Sequence, residues 1–208
     1  EFSLINHKSY SDKILRQLDT DRYELQERQL IEKCVESNDI VVELGGGMGL
    51  ISMLVSRLVK NKNIYVFEPN PLMNRIISTN YKSNRIKGIN ISDKILGHGN
   101  RKRSFGINKS FTGSSLFSTN SVKSIEVDQN DLNSFIINNS ISLIICDIEG
   151  GEYELFIDDY IIPKSVKKII IEIHNDRNLN NVDVIANFIN QDFRIVQNID
   201  DVYYMLRS

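Results

Sequence analysis

Residues 40–50, Ile-Val-Val-Glu-Leu-Gly-Gly-Gly-Met-Gly-Leu, constrain the fold more than any other stretch of the chain. An apolar run ends in an acid, turns through glycines 45, 46, 47 and 49, and enters an amphipathic segment. Glycine lets the backbone take positive φ and come close to a ligand with no Cβ in the way. A helix beginning near Met48 aims its first free N–H groups at the same point. This is the ligand-facing corner of a Rossmann-like sheet. A dinucleotide-binding corner usually reads G-x-G-x-x-G, with its ribose-reading acid at the end of the second strand. Here Glu43 stands just before the glycines, and Glu68 ends the next expected strand, 63–68. The pair suits a nucleoside-like ligand with free hydroxyls, Glu68 reading the ribose and Glu43 lying near an amino-acid end.

The rest of the chain alternates strands and helices. Helical spacing predicts helices over 10–18, 23–37, 49–59 and 71–81, the last opened by Pro69-Asn70-Pro71. A short strand is expected at 88–91. Residues 93–123, rich in Gly, Ser and Lys, are expected to form a strand hairpin or an active-site flap. A helix is expected over 128–138, capped by Asp128. The apolar runs 141–146 and 168–173 read as buried strands, followed by a helix near 182–190 and strands at 193–197 and 202–206. Continuous apolar strands separated by helices imply a parallel sheet covered on both faces. The last two strands have no helix between them and should pair antiparallel. The expected fold is therefore α/β: a Rossmann-like, doubly wound, mostly parallel seven-stranded sheet with an antiparallel C-terminal hairpin. All of 1–208 is read as one domain, with 1–22 an N-terminal extension.

Composition narrows the function. The 208 residues carry a net charge of −2 and a pI near 6.0, so no broad basic field invites nucleic acid. Arg101-Lys102-Arg103 is read first as a solvated loop or hairpin and second as a polyanion contact. Cys34 and Cys146 fall in buried elements and fit reduced structural thiols. No apolar run is long enough to span a bilayer and no signal peptide is visible, so a cytoplasmic protein is expected. The opening Glu1-Phe2, without Met, is read as a cloning remnant or as the edge of a module in a longer polypeptide.

In an open α/β sheet, ligands bind at the carboxyl ends of the strands. Glu43 with the glycines, Glu68, Asp147 with Glu149, and His174 all fall at such ends. Any one of them has a bland alternative: an acid capping the next helix, or a histidine satisfied at a strand end. Their convergence on one edge favours function. Glu172 is expected to face away from His174, on the alternation of strand side chains.

Four phrases carry a resemblance: Val-Glu-Leu-Gly-Gly-Gly-Met-Gly (42–49), Val-Phe-Glu-Pro-Asn-Pro (66–71), Asp-Ile-Glu-Gly-Gly-Glu (147–152) and Ile-Glu-Ile-His (171–174). In this order, over roughly residues 23–193, they resemble FkbM-type S-adenosylmethionine-dependent methyltransferases of the class I fold. Tyr23-Glu24 with Glu27 resembles the family's lead-in helix, and Ser114-Ser115-Leu116 its loop before the fourth strand. Met48 departs from the family, whose members commonly have Asn there.

The resemblance implies a set of roles. Gly45 and Gly47 would lie against the methionine part of S-adenosylmethionine, and Glu43 would face its amino-acid or ribose end. Glu68 would accept the ribose hydroxyls, with Asn70 supporting that loop and Ser92 and Asp93 at the adenine edge. Asp147 would sit near the sulfonium and the acceptor, with Glu149 and His174 on the acceptor side.

The donor already supplies an activated carbon, so the protein must align the acceptor and manage a hydroxyl proton. His174 is the first expected general base, because imidazole is largely neutral near pH 7. Asp147 and Glu149 come second. The same three residues are an alternative site for a divalent metal, to which the sequence does not commit. The resemblance implies an O-methyltransferase, and the polar flap at 97–121 suits a hydroxylated acceptor, so the expected acceptor is a sugar hydroxyl, such as that of a deoxyhexose like rhamnose in a glycan. The alternatives are a protein or small natural product as acceptor, a non-catalytic cofactor-binding partner of a glycosyltransferase, and, least favoured, an NAD-dependent enzyme.

Overall fold

The computed structural model describes residues 2–8, 10–60, 63–108, 123–156, 160–174 and 181–208. In chain order the elements are α1 (Asp12–Asp19), α2 (Leu25–Cys34), β1 (Val41–Leu44), α3 (Leu50–Leu58), β2 (Ile64–Phe67) and α4 (Pro71–Ser83). Next come β3 (Ile89–Ser92), β4 (Ile95–Gly97), β5 (Arg101–Ile107), β6 (Lys123–Asp131) and α5 (Leu132–Asn139). The chain closes with β7 (Leu143–Cys146), α6 (Glu152–Phe156), β8 (Lys168–Glu172), α7 (Asn181–Ile189), β9 (Phe193–Ile199) and β10 (Val202–Arg207).

Every residue of β1 and β7 is buried, as the continuous apolar runs require of strands covered on both faces. β1 pairs in parallel with β2 on one side and with β7 on the other, placing Leu44 level with Phe67 and Cys146. The seven-stranded sheet runs β3-β2-β1-β7-β8-β10-β9. β10 runs antiparallel to both of its neighbours. It pairs antiparallel with β9, as expected from the missing helix, and also inserts between β8 and β9.

Strand alternation divides the core in two. Val41, Leu143, Ile145 and Ile170 pack with Leu30 and Ile31 of α2, Ile51 and Val55 of α3 and Ile76 and Ile77 of α4. Val42, Ile144, Cys146, Ile169 and Ile171 pack with Leu132 and Ile136 of α5, Phe156 of α6 and Phe188 of α7. Both cysteines are free and buried. No helix among the described residues is long and apolar enough to cross a membrane.

Within 93–123, the described residues form β4 and β5, which join β6 in a second sheet of order β4-β6-β5, with β5 and β6 antiparallel. Ser114-Ser115-Leu116 lies outside the described residues. Two local expectations are corrected here. The helix expected from 128 starts at Leu132, because Ile125 to Gln129 continues a strand with Val127 and Gln129 on its buried face. Asp128 pairs with Lys102 at 3.2 Å, and Asp131 caps the helix by accepting from the Ser134 N–H at 2.8 Å. The Arg101-Lys102-Arg103 cluster is spent on ion pairs: both arginines on Glu154, and Lys102 on Glu126 and Asp128.

Candidate active site

A cavity of about 570 Å³ opens at the carboxyl ends of β1, β2, β7 and β8. That volume is within the ordinary range for a small-molecule site. The glycine corner forms its floor. Gly45 sits at φ +87°, and a Cβ there would stand 1.7 Å from the backbone oxygen of Asp147, so no other residue fits without moving the β7 end. Gly49, at φ +84°, heads α3.

Glu68 and Asn70 build the next wall. One carboxylate oxygen of Glu68 accepts the Gly47 N–H at 3.1 Å, and the other accepts the Asn70 N–H at 2.8 Å. Burial pushes this carboxyl up to about 7, against the pull of those N–H groups. Asn70 caps α4, its side-chain oxygen accepting the Leu72 N–H at 3.0 Å. A carboxylate offers about four lone-pair sites, and the backbone N–H groups of Gly46, Gly47 and Asn70 all act on those of Glu68. Gly47 also lines the cavity. A Cβ there would meet nothing nearer than Glu24 Oε1 at 3.4 Å and Tyr23 Oη at 3.5 Å.

Glu43 lies deeper. It is buried on the α3 side of β1 and faces a smaller pocket shared with Glu24, Glu27, Gly45 and Asp147. Burial lifts its carboxyl to about 8, relieved by a hydrogen bond with Ser52 and reinforced by the charge of Glu68. Its Oε2 has no hydrogen-bond partner among the described residues. Ser92 ends β3, where its carbonyl accepts the Glu68 N–H at 2.9 Å and its hydroxyl accepts the Lys94 N–H at 3.2 Å. Asp93 lines a neighbouring cavity, which shares Pro69 and Lys94 with the main one. Neither Ser92 nor Asp93 lines the main cavity.

Asp147, Glu149 and His174 do come together. His174 Nε2 lies 3.7 Å from Asp147 Oδ1, 3.6 Å from Glu149 Oε2 and 3.8 Å from Glu172 Oε1. Glu172 therefore faces His174 rather than away from it, because two steps along a strand return a side chain to the same face. His174 Nδ1 lies 3.3 Å from Glu152 Oε1. Burial opposes a charge on His174. The Glu152 hydrogen bond and the Asp147, Glu152 and Glu149 charges outweigh it and push the imidazole up to about 10. In this state the ring donates protons, which is the opposite of a free base near pH 7. Asp147 is raised well above the ordinary carboxylate range by burial, then by Glu172 beside it.

Glu152, the last residue of the Asp-Ile-Glu-Gly-Gly-Glu phrase, organises this corner. It is fully buried, accepting the Ile148 N–H at 3.0 Å and the Gly150 N–H at 2.9 Å. Those two bonds hold a loop in which Glu149 and Gly150 are both left-handed, at φ 54° and 94°. Glu24 and Glu27 also reach the cavity from the N-terminal side, His98 and Gln129 reach it from the second sheet, and Glu154 from α6. The only signal for the first pair was the lead-in helix, and periodicity held none for the others.

A doubly wound sheet with an antiparallel strand inserted near one edge, and a glycine corner facing a carboxylate at the end of the second strand, defines a class I methyltransferase. The sequence matches the Methyltransferase FkbM domain over residues 45–195. The chain belongs to the FkbM methyltransferase family and is an S-adenosylmethionine-dependent methyltransferase. Among curated proteins the sequence has no significant match. Its fold is similar to that of a ribosomal protein L11 methylase from Lactobacillus delbrueckii subsp. bulgaricus. That likeness has a TM-score of 0.51 at 12% identity, covering 90% of this chain and 79% of the other. A precorrin-6y C5,15-methyltransferase from Geobacter metallireducens GS-15 aligns at TM-score 0.49 and 11% identity, over 99% and 95% of the two chains.

Proposed function

We propose that the protein transfers a methyl group from S-adenosylmethionine to a hydroxyl of a sugar, such as a deoxyhexose like rhamnose within a glycan. The observation that carries this reading is the chemistry of the acceptor side. Asp147, Glu149, Glu172 and His174 meet within hydrogen-bonding reach of a shared ligand, and Asp200, Asp201 and Gln129 add further polar groups to the cavity wall. A wall this rich in carboxylates repels phosphate and carboxylate acceptors and suits a neutral molecule with several hydroxyls.

The donor supplies the activated methyl group when bound. Gly45 and Gly47 leave room for its methionine part, Glu43 stands beneath that end, and Glu68 receives the ribose hydroxyls from a loop shaped by Asn70. Asp147 is the group that takes the acceptor proton, because its raised affinity for protons brings it closer to that of a useful base at neutral pH. His174, held as a cation, donates a hydrogen bond to an acceptor oxygen and keeps the carboxylates in place. Glu149 holds a further acceptor hydroxyl.

The test is methyl transfer from S-adenosylmethionine to a panel of rhamnosides and other glycosides, followed by mass spectrometry. Expected is a mass gain of one methyl group on a sugar, reduced about 100-fold or more in Asp147→Asn. Transfer to proteins or amines alone, or donor binding with no transfer to any hydroxyl, would overturn the proposal.

A further inference from the structure

We propose that Asp147, Glu149 and His174 form a divalent-cation site, with Glu27 and Glu172 closing its inner side. The donor atoms of Asp147, Glu149 and His174 all lie within 4.8 Å of one another, and so do those of Glu27, Asp147 and Glu172. The two sets share Asp147, so one imidazole and four carboxylates surround a single corner of the cavity.

Two independent observations point to a ligand there. Glu27 is only 8% exposed; its carboxyl shares a hydrogen bond with Glu172, yet its Oε2 has no partner among the described residues, nor does the buried Oδ1 of Asp147 have a hydrogen-bond partner there. Buried carboxylate oxygens left in this way are costly unless something positive takes them. The second observation is the setting of His174. Glu152, fully buried, stands 3.3 Å from Nδ1. With the Nδ1 proton donated to that carboxylate, the ring stands with Nε2 toward Asp147 and Glu149, and an arriving cation replaces the Nε2 proton, which leaves to solvent. A carboxylate behind a histidine is the usual support of a metal ligand.

The set is hard oxygen with one imidazole, which suits Mn²⁺ or Mg²⁺ over thiophilic ions. An octahedral ion with bonds of about 2.1 Å places neighbouring ligand atoms about 3.0 Å apart. His174 Nε2 lies 3.7 Å from Asp147 and 3.6 Å from Glu149, so side-chain movements of less than about 1 Å would close the shell. The open side of the corner faces the cavity, where two neighbouring sugar oxygens can complete the ligand set. This last step rests on the methyl-transfer reading; cation binding itself does not.

The test is titration of the metal-stripped full chain with Mn²⁺ in the absence of donor, followed by electron paramagnetic resonance. Expected is one saturable ion per chain, displaced by Mg²⁺. Binding should weaken at least tenfold in Asp147→Asn and Glu149→Gln and stay unchanged in the surface variant Asp192→Asn. Glu149 lies on a loop with its side chain 32% exposed, so its variant carries the test even where Asp147→Asn fails to fold. No saturable uptake at millimolar Mn²⁺, or uptake indifferent to both site variants, overturns the site. Titration with S-adenosylhomocysteine in EDTA tests the donor pocket separately, so the cation site and the methyl-transfer reading can fail independently.

Discussion

Glu68→Gln isolates the group on which donor binding should turn. The substitution keeps the size and shape of the side chain but removes the charge and one acceptor oxygen. In the native protein both oxygens are engaged, by the N–H groups of Gly47 at 3.1 Å and Asn70 at 2.8 Å. The glutamine NH₂ must therefore face one of these N–H groups or a ribose hydroxyl, and either way a donor meets a donor or a bond is lost. Two charge-assisted hydrogen bonds are each worth about 1.5–3 kcal/mol, so a net loss of about 3 kcal/mol is expected. That corresponds to roughly a 100-fold weaker Kd for S-adenosylhomocysteine at pH 8 by calorimetry.

The pH dependence supplies a second readout. The hydroxyls bind the anion, and Glu68 titrates near 7, so wild-type affinity should rise about tenfold from pH 6 to pH 8 and then level off. In Glu68→Gln this component of the rise should vanish. Stability of the unliganded protein should move the other way. The folded carboxyl is raised from 4.5 to about 7, so the folded state holds more protons than the unfolded state in that window. The Glu68 contribution to stability is then largest at low pH and falls as pH rises from 4.5 to 7. A Glu68→Gln affinity within threefold of wild type, or wild-type affinity that falls between pH 6 and 8, would refute the assignment.

Three further outcomes are expected. Gly45→Ala places a methyl group 1.7 Å from the Asp147 carbonyl oxygen at a positive φ. It should lower Tm by roughly 6–12 °C in a circular-dichroism melt and abolish donor binding, at about 3 kcal/mol of strain and displacement. Glu152→Ala strips the acceptor from the Ile148 and Gly150 N–H groups and from His174. It should cost about 3 kcal/mol by urea titration and release the His174 imidazole toward neutral pH by NMR. Asp39→Ala leaves the buried Lys168 ammonium, which Asp39 holds at 2.9 Å, with only Glu36 and the Cys34 carbonyl oxygen. A loss of about 3 kcal/mol is expected by urea titration, with donor affinity unchanged because the pair lies away from the cavity.

Sequence alone determined the features governed by neighbours along the chain. Apolar runs of four to six residues became the parallel strands, because a strand covered on both faces must be apolar throughout. The glycines at 45, 47 and 49 became a left-handed corner, because few other residues accept that backbone. The acids and the histidine at the strand ends landed on one edge, because every parallel strand of such a sheet points its carboxyl end the same way.

Tertiary structure decided what depends on distant partners. The position of β10 between β8 and β9 is one such feature, since the local pattern required only an antiparallel pair. Another is the approach of Glu24 and Glu27 to Asp147, which are far from it in the chain but share its pocket. The charge of His174 is the clearest case. Read by itself the residue is an imidazole near its ordinary value, whereas Glu152, Asp147 and Glu149 packed around it hold it as a cation. Electrostatic energy depends on distance in space and on the water excluded between groups, and neither quantity is written in the order of residues.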